Sequence, residues 1–191
     1  MIKSMLAVLT MASMTVPVRA VDATGDWRVN DGTALIRVAP CFDLKVDLPA
    51  ESRADPKDVL CGIIAWTKGG EGAQNAVDEN NPDPAKRARP IMGLPILTEM
   101  KYDVQKSRWD GEVYNAKDGK IYTSHLILKS DDIMRIEGCV FGGLICGGED
   151  WTRVQLPDPT FPGATPMVAA RPPAPAPSRP VPAPSGAQRA R

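Results

Sequence analysis

RWDGEVYNAKDGKIYTSHLILK, residues 108–129, is the stretch on which the fold turns. Residues 108–115 and 120–129 both alternate, and Ala116-Lys117-Asp118-Gly119 stands between them. Asp-Gly between alternating runs is a strong hairpin signal, because glycine supplies the positive φ of a tight turn without steric cost. A period of two places Trp109 and Val113 on one face and Tyr114 on the other. In the second run Tyr122, Leu126 and Leu128 share a face with Ser124 between them, and His125 lies opposite with Thr123 and Ile127. No helical period of about 3.6 residues competes with this pattern.

The same pattern extends in both directions. Residues 26–30 form a short strand, followed by Asp31-Gly32 as a second hairpin turn. In 33–39, Ala34, Ile36 and Val38 face one way and Thr33, Leu35 and Arg37 the other. Residues 59–67 (VLCGIIAWT) are apolar on both faces, as a strand covered on both sides requires. Residues 93–104 follow, where Pro95 argues for an edge or a bulge. Residues 133–140 carry Met134, Ile136 and Val140 on one face, and 149–156 end the series. Eight such strands in a flat meander would leave long unpaired edges, and closure removes them. The expected fold is therefore all-β, an eight-stranded antiparallel up-and-down barrel over residues 21–156. An interior of eight strands is either filled by side chains or holds one small ligand. Two longer connections interrupt the short turns, 43–58 and 68–92.

The ends of the series carry a pairing that supports closure. Gly25-Asp26-Trp27 opens the first strand and Trp151-Thr152-Arg153 lies on the last. The arrangement is similar to that of lipocalin-like barrels, in which an Arg from the last strand stacks over the Trp of a Gly-x-Trp on the first. Such a cation–π contact contributes about 0.5–2 kcal/mol and seals one end of the barrel. An ordinary core Trp beside an unrelated surface Arg is the competing reading.

Composition narrows the function. The chain has 191 residues, 23 Lys+Arg against 23 Asp+Glu, and 43% hydrophobic residues, enough for one packed core. It has one histidine, His125, which argues against a His-built metal site or a Ser-His-Asp triad. No basic domain of the kind that binds nucleic acid is present. Residues 1–20 read as a secretory signal: Lys3, an apolar run from Met5 to Val16 too short to cross a bilayer, and cleavage after Ala20. A weak membrane anchor is the other reading. The expected location is periplasmic or secreted.

In that setting four cysteines favour two disulfides, and the local pairs are Cys41–Cys61 and Cys139–Cys146. Loop-closure entropy assigns about 3.3 and about 2.3 kcal/mol to them. A zinc site of four thiolates is disfavoured, since no CxxC spacing occurs. Residues 157–191 hold eleven of the 19 prolines and read as a disordered Pro/Ala-rich tail. Its net charge is +3, against −5 for residues 21–156. The tail either contacts the anionic cell envelope or is solvated and without partner.

Trp66, Trp109, Tyr114 and Tyr122 are the large aromatics of the central strands. They line a ligand cavity if they face inward, or fill the core; alternation forbids all from doing either. Asp78, Glu79 and Asp83 could hold a hard cation, but Asx turns ahead of prolines explain Asp78–Pro84 more simply. Arg87 and Arg89 follow at once. They either pin this loop over the barrel mouth through salt bridges or bind a carboxylate or phosphate head group. Lys120 and Tyr122 share a face, yet no nucleophile or carboxylate can be placed beside them. Gly69-Gly70-Glu71-Gly72 lacks the Lys-Ser/Thr of a phosphate-binding loop. No catalytic residue, metal or cofactor is assigned.

Taken as a set, these residues resemble the bacterial family catalogued as domain of unknown function 2147. The resemblance rests on Gly25-Asp26-Trp27, Asp31-Gly32, Leu60 to Trp66, Asn81-Pro82-Asp83-Pro84, Arg87 to Leu94, Trp109 to Tyr114, Gly119 to Tyr122, and Trp151-Thr152-Arg153. It covers about residues 24–154. It implies a secreted or periplasmic small barrel akin to lipocalins and fatty-acid-binding proteins, and no established activity. This chain departs from the pattern in about a dozen extra residues between Cys41 and Cys61, and in Cys139 and Cys146 around Gly142-Gly143. The resulting expectation is a non-enzymatic monomer that binds a small apolar or amphipathic molecule, with Trp66, Arg87, Arg89, Trp109, Tyr114 and Tyr122 as the candidate ligand-binding residues. A filled barrel acting as an envelope structural or stress protein is the alternative, and a hydrolase the weakest reading.

Overall fold

A computed structural model describes residues 22–46, 59–69, 72–73 and 75–166. The expected signal segment and cleavage site, most of the 43–58 connection and the chain from residue 167 lie outside the described residues. Eight strands follow one another: β1 (Gly25–Arg28), β2 (Ala34–Pro40), β3 (Val59–Thr67), β4 (Pro95–Asp103), β5 (Arg108–Asn115), β6 (Lys120–Ser130), β7 (Ile133–Val140) and β8 (Ile145–Val154). Each pairs antiparallel with the next, and β1 pairs with β8, so the sheet closes into an eight-stranded up-and-down barrel. No strand is left with an open edge, the liability that closure removes.

The β5–β6 hairpin pairs Trp109 with Leu126 and Val113 with Tyr122, which places those four side chains on the inner face. Gly119, at φ +71°, closes its turn, and a Cβ there would fall 1.9 Å from the carbonyl oxygen of Asn80. Glycine thus serves both the turn and the approach of the 68–94 loop. Pro95 stands at the first position of β4, where its missing N–H breaks no ladder. Bulges between Leu35 and Ile36 and between Thr98 and Lys101 bend the strands as closure demands; Glu99 takes a positive φ of 55° at the second.

β8 begins four residues earlier than the sequence suggests. Gly147 and Gly148 weaken strand propensity there, but the Cys139–Cys146 disulfide and the Gly138↔Gly147 and Glu137↔Gly148 pairs extend the ladder through them. The folded unit also continues past residue 156. Phe161, assigned by composition to the solvated tail, is 3% exposed. It packs edge-on against Trp66 at 5.1 Å, beside Leu35, Val154 and Leu156. The Trp66 indole donates to the Pro162 carbonyl at 3.0 Å, and Arg37 donates to that of Thr165. The tail assignment therefore needs correction for 157–166, where one aromatic anchor outweighs the prolines around it.

One end of the barrel is sealed. Trp27 has no exposed surface, and Arg153 lies over its ring at 4.1 Å. The guanidinium donates to the carbonyls of Asp131, Asp22 and Thr24, at 2.5 and 2.9 Å for the first two. A Cβ on Gly25, whose φ is +133°, would lie 2.6 Å from Nη1 of Arg153, so the glycine of the Gly-x-Trp makes room for the arginine. Leu97, Met100, Trp109, Leu126 and Met134 fill the adjoining interior. The Cys41–Cys61 disulfide joins the end of β2 to β3 on the outer wall, in a small cluster with Val59.

Candidate functional site

The other half of the interior is hollow. A cavity of about 570 Å³ opens at the end that carries the β1–β2, β5–β6 and β7–β8 turns. Its walls include Ala34 and Ile36 from β2, Ile64 from β3, Ile96 from β4, Val113 from β5, Tyr122 from β6, Ile136 from β7 and Trp151 from β8. Such a volume falls within the roughly 300–1,000 Å³ of small-molecule sites. Gly138 and Gly147 stand opposite each other in the β7–β8 wall of this space. A Cβ on Gly147 would meet nothing within 4 Å. The rim is formed by Asp31, Thr33, Asn115, Ala116, Lys117, Val140 and Ile145. The β7–β8 turn projects two exposed apolar side chains, Phe141 and Leu144, and the Cys139–Cys146 disulfide staples its base from outside. His125 lies beside that disulfide, with its ring nitrogen and both sulfurs within 4.8 Å of one another. The two sulfurs are bonded together and offer no thiolate ligand.

Polar groups in the cavity are few. Tyr122 donates its hydroxyl to Asp118 at 2.5 Å at the turn, which raises the phenol's pKa and lowers that of the carboxyl. Glu149 faces inward, paired with Ile136, and its Oε1 accepts from the Trp151 indole at 2.6 Å. Ser124, buried on the inner face between Gly111 and Gly138, has no hydrogen-bond partner among the described residues.

The 68–94 loop is built around Asp78. This carboxylate is fully buried and accepts from Tyr114 at 2.6 Å, Asn81 at 2.8 Å and Arg89 at 2.8 Å. Burial alone would raise its pKa, but those hydrogen bonds and the Arg89 charge outweigh it and hold the carboxyl below its ordinary value. The same burial, followed by the bond to Asp78, raises the pKa of Tyr114. Arg87 donates to the Asn81 carbonyl at 2.8 Å, and Asn80 reaches the carbonyls of Ala116 and Lys117. Asn81 and Asp83 accept from backbone N–H groups two residues on, as Asx turns do.

The six residues singled out from sequence are thus dispersed. Tyr122 lines the cavity, and Tyr114 reaches its rim while its hydroxyl turns to Asp78. Arg89 sits 5.4 Å over the Tyr114 ring, outside the interior, and neither it nor Arg87 lines the cavity. Trp109 belongs to the packed core, beside Tyr102. Trp66 points to the outer wall, because the 157–166 segment supplies an apolar cover there. Sequence reasoning missed Glu149 and the Gly138–Gly147 pair. The strand expected from sequence begins at Glu149 and assigns it no facing; the alternation Ile145, Gly147, Glu149, Trp151 puts it on the inner face with Trp151.

No curated protein matches the chain. Among solved structures it is similar to a Helicobacter pylori protein, HP1028, described as belonging to the lipocalin family. Identity is 17%, the TM-score is 0.54, and the match covers 71% of this chain and 85% of that one, a likeness of fold. The model of the family of uncharacterised proteins conserved in bacteria, DUF2147, matches residues 25–153, and the chain belongs to that family.

Proposed function

We propose that this protein binds one small apolar or amphipathic molecule in the open half of its barrel, as a monomer, in an oxidising periplasmic or extracellular compartment, and catalyses no reaction. The observation that carries the reading is the cavity of about 570 Å³, mostly apolar, open at one end and bordered by Gly147, where an added side chain would meet open space. A hollow interior supports binding over the filled envelope scaffold. The two disulfides support an oxidising location. A hydrolytic role has little support, since Lys120 is exposed and the Tyr122 hydroxyl is engaged by Asp118.

The test uses a neutral lipophilic fluorophore, N-phenyl-1-naphthylamine, with the full chain and a Gly147→Phe variant. The variant fills the cavity from a position with open space. It is expected to lose at least about tenfold in affinity with its thermal midpoint preserved. No binding by the natural chain, or equal binding by both, overturns the proposal.

A further inference from the structure

The charges around the cavity specify which end group its occupant carries. The charged side chains among its described lining residues are Asp31, Lys117 and Glu149. Asp31 and Lys117 belong to the rim turns. They lie near enough for the lysine to stabilise the carboxylate, which also accepts from the Thr33 hydroxyl at 2.6 Å. Glu149 lies deeper, on the β8 wall between Gly147 and Trp151, opposite Ile136. The Trp151 indole occupies Oε1, and among the described residues no cation lies within ion-pair distance of Glu149. The neutral indole donor takes one oxygen and leaves the other to accept from a ligand, on a half-buried carboxylate in an otherwise apolar wall. Gly147 leaves bare space beside that carboxylate. The two arginines suited to an anionic head group are engaged elsewhere, Arg89 by Asp78 and Arg87 by the Asn81 carbonyl.

We infer that the cavity recognises an amphipathic cation, an apolar body ending in a protonated amine that donates to Glu149, and discriminates against fatty acids. This rests on the ligand-binding reading above and assigns the head group within it. An ammonium replaces its lost water with a charge-assisted hydrogen bond to Glu149, whereas a carboxylate would meet a like charge.

The experiment is isothermal titration calorimetry of the full chain with dodecylamine, dodecan-1-ol and dodecanoate, all at neutral pH, low salt and below micelle-forming concentrations. The amine is expected to bind at least about tenfold tighter than the alcohol, with dodecanoate weakest. Glu149→Gln keeps an acceptor for the Trp151 indole while removing the charge. It is expected to bring the amine close to the alcohol and leave the alcohol unchanged. Gly147→Phe is expected to weaken all three. Equal or tighter binding of dodecanoate, a preference that survives Glu149→Gln, or amine binding that survives Gly147→Phe overturns the head-group assignment, while alcohol binding lost in Gly147→Phe keeps the cavity reading intact. Binding of none of the three overturns both.

Discussion

Asp78 shows how a single side chain can turn from a candidate ligand into a structural post. It stands in an acidic run that suggested a cation site, yet it has no exposed surface, and Tyr114, Asn81 and Arg89 use both its oxygens. Its lowered pKa has a thermodynamic consequence of definite sign. A carboxyl whose folded pKa lies below its unfolded value of about 3.9 adds stability above that pH and loses it as pH falls through the folded pKa. Asp78→Asn is therefore expected to cost about 1–3 kcal/mol at pH 7, with the gap narrowing below about pH 4. Urea denaturation at a series of pH values measures this. A gap that stays constant from neutral to acid pH would mean that Asp78 is not held ionised by its neighbours.

At the level of elements, the informative segment is the one following β8. Residues 157–166 contain prolines that preclude a strand, and yet Phe161 is buried against Trp66 and Leu35. This cover accounts for the Trp66 end of the outer face of β3, while Cys41, Leu44 and Val46 pack against Val59 and Cys61 at its other end; elsewhere the outer wall carries charge. Asp103, Lys106, Arg108, Asp110 and His125 form a linked run on β4–β6, and Lys129, Arg135, Glu137 and Asp150 another on β6–β8. Phe161→Ala is expected to destabilise the protein by about 3–5 kcal/mol, the range for losing a buried aromatic. It is also expected to increase the fluorescence response of Trp66 to aqueous quenchers. Unchanged stability in chemical denaturation would show that the segment adds nothing to the fold.

For the whole molecule, closure couples every strand to the next, and the two disulfides lie at distant places on one ring of hydrogen bonds. Cys41–Cys61 spans 20 residues and Cys139–Cys146 spans 7. Replacing each pair by serine is expected to cost about 3 and about 2 kcal/mol, and both together near the sum, as for distant sites. All variants should unfold in a single transition. Denaturation followed by far-ultraviolet circular dichroism and tryptophan fluorescence decides this, and two separated transitions would contradict a single closed sheet.

Much of this was legible without coordinates, because hairpins are local. Asp-Gly turns and alternation pointed to the strand order, and nearness in sequence favoured Cys41–Cys61 and Cys139–Cys146 among three possible pairings, which the structure bears out. The Gly25–Trp27 and Arg153 motifs pointed to closure because their chemistry is complementary. Alternation, however, gives only relative facing: it says that Trp109 and Tyr114 oppose each other, not which is inside. Absolute facing depends on what covers the far side of the wall, and that cover comes from segments remote in sequence. The tertiary structure alone therefore turned Trp66 outward beneath Phe161, committed Arg89 to Asp78, and left Glu149 inside beside empty space. Each outcome depends on a partner 11 or more residues away or on the absence of one, and local propensity carries no record of either.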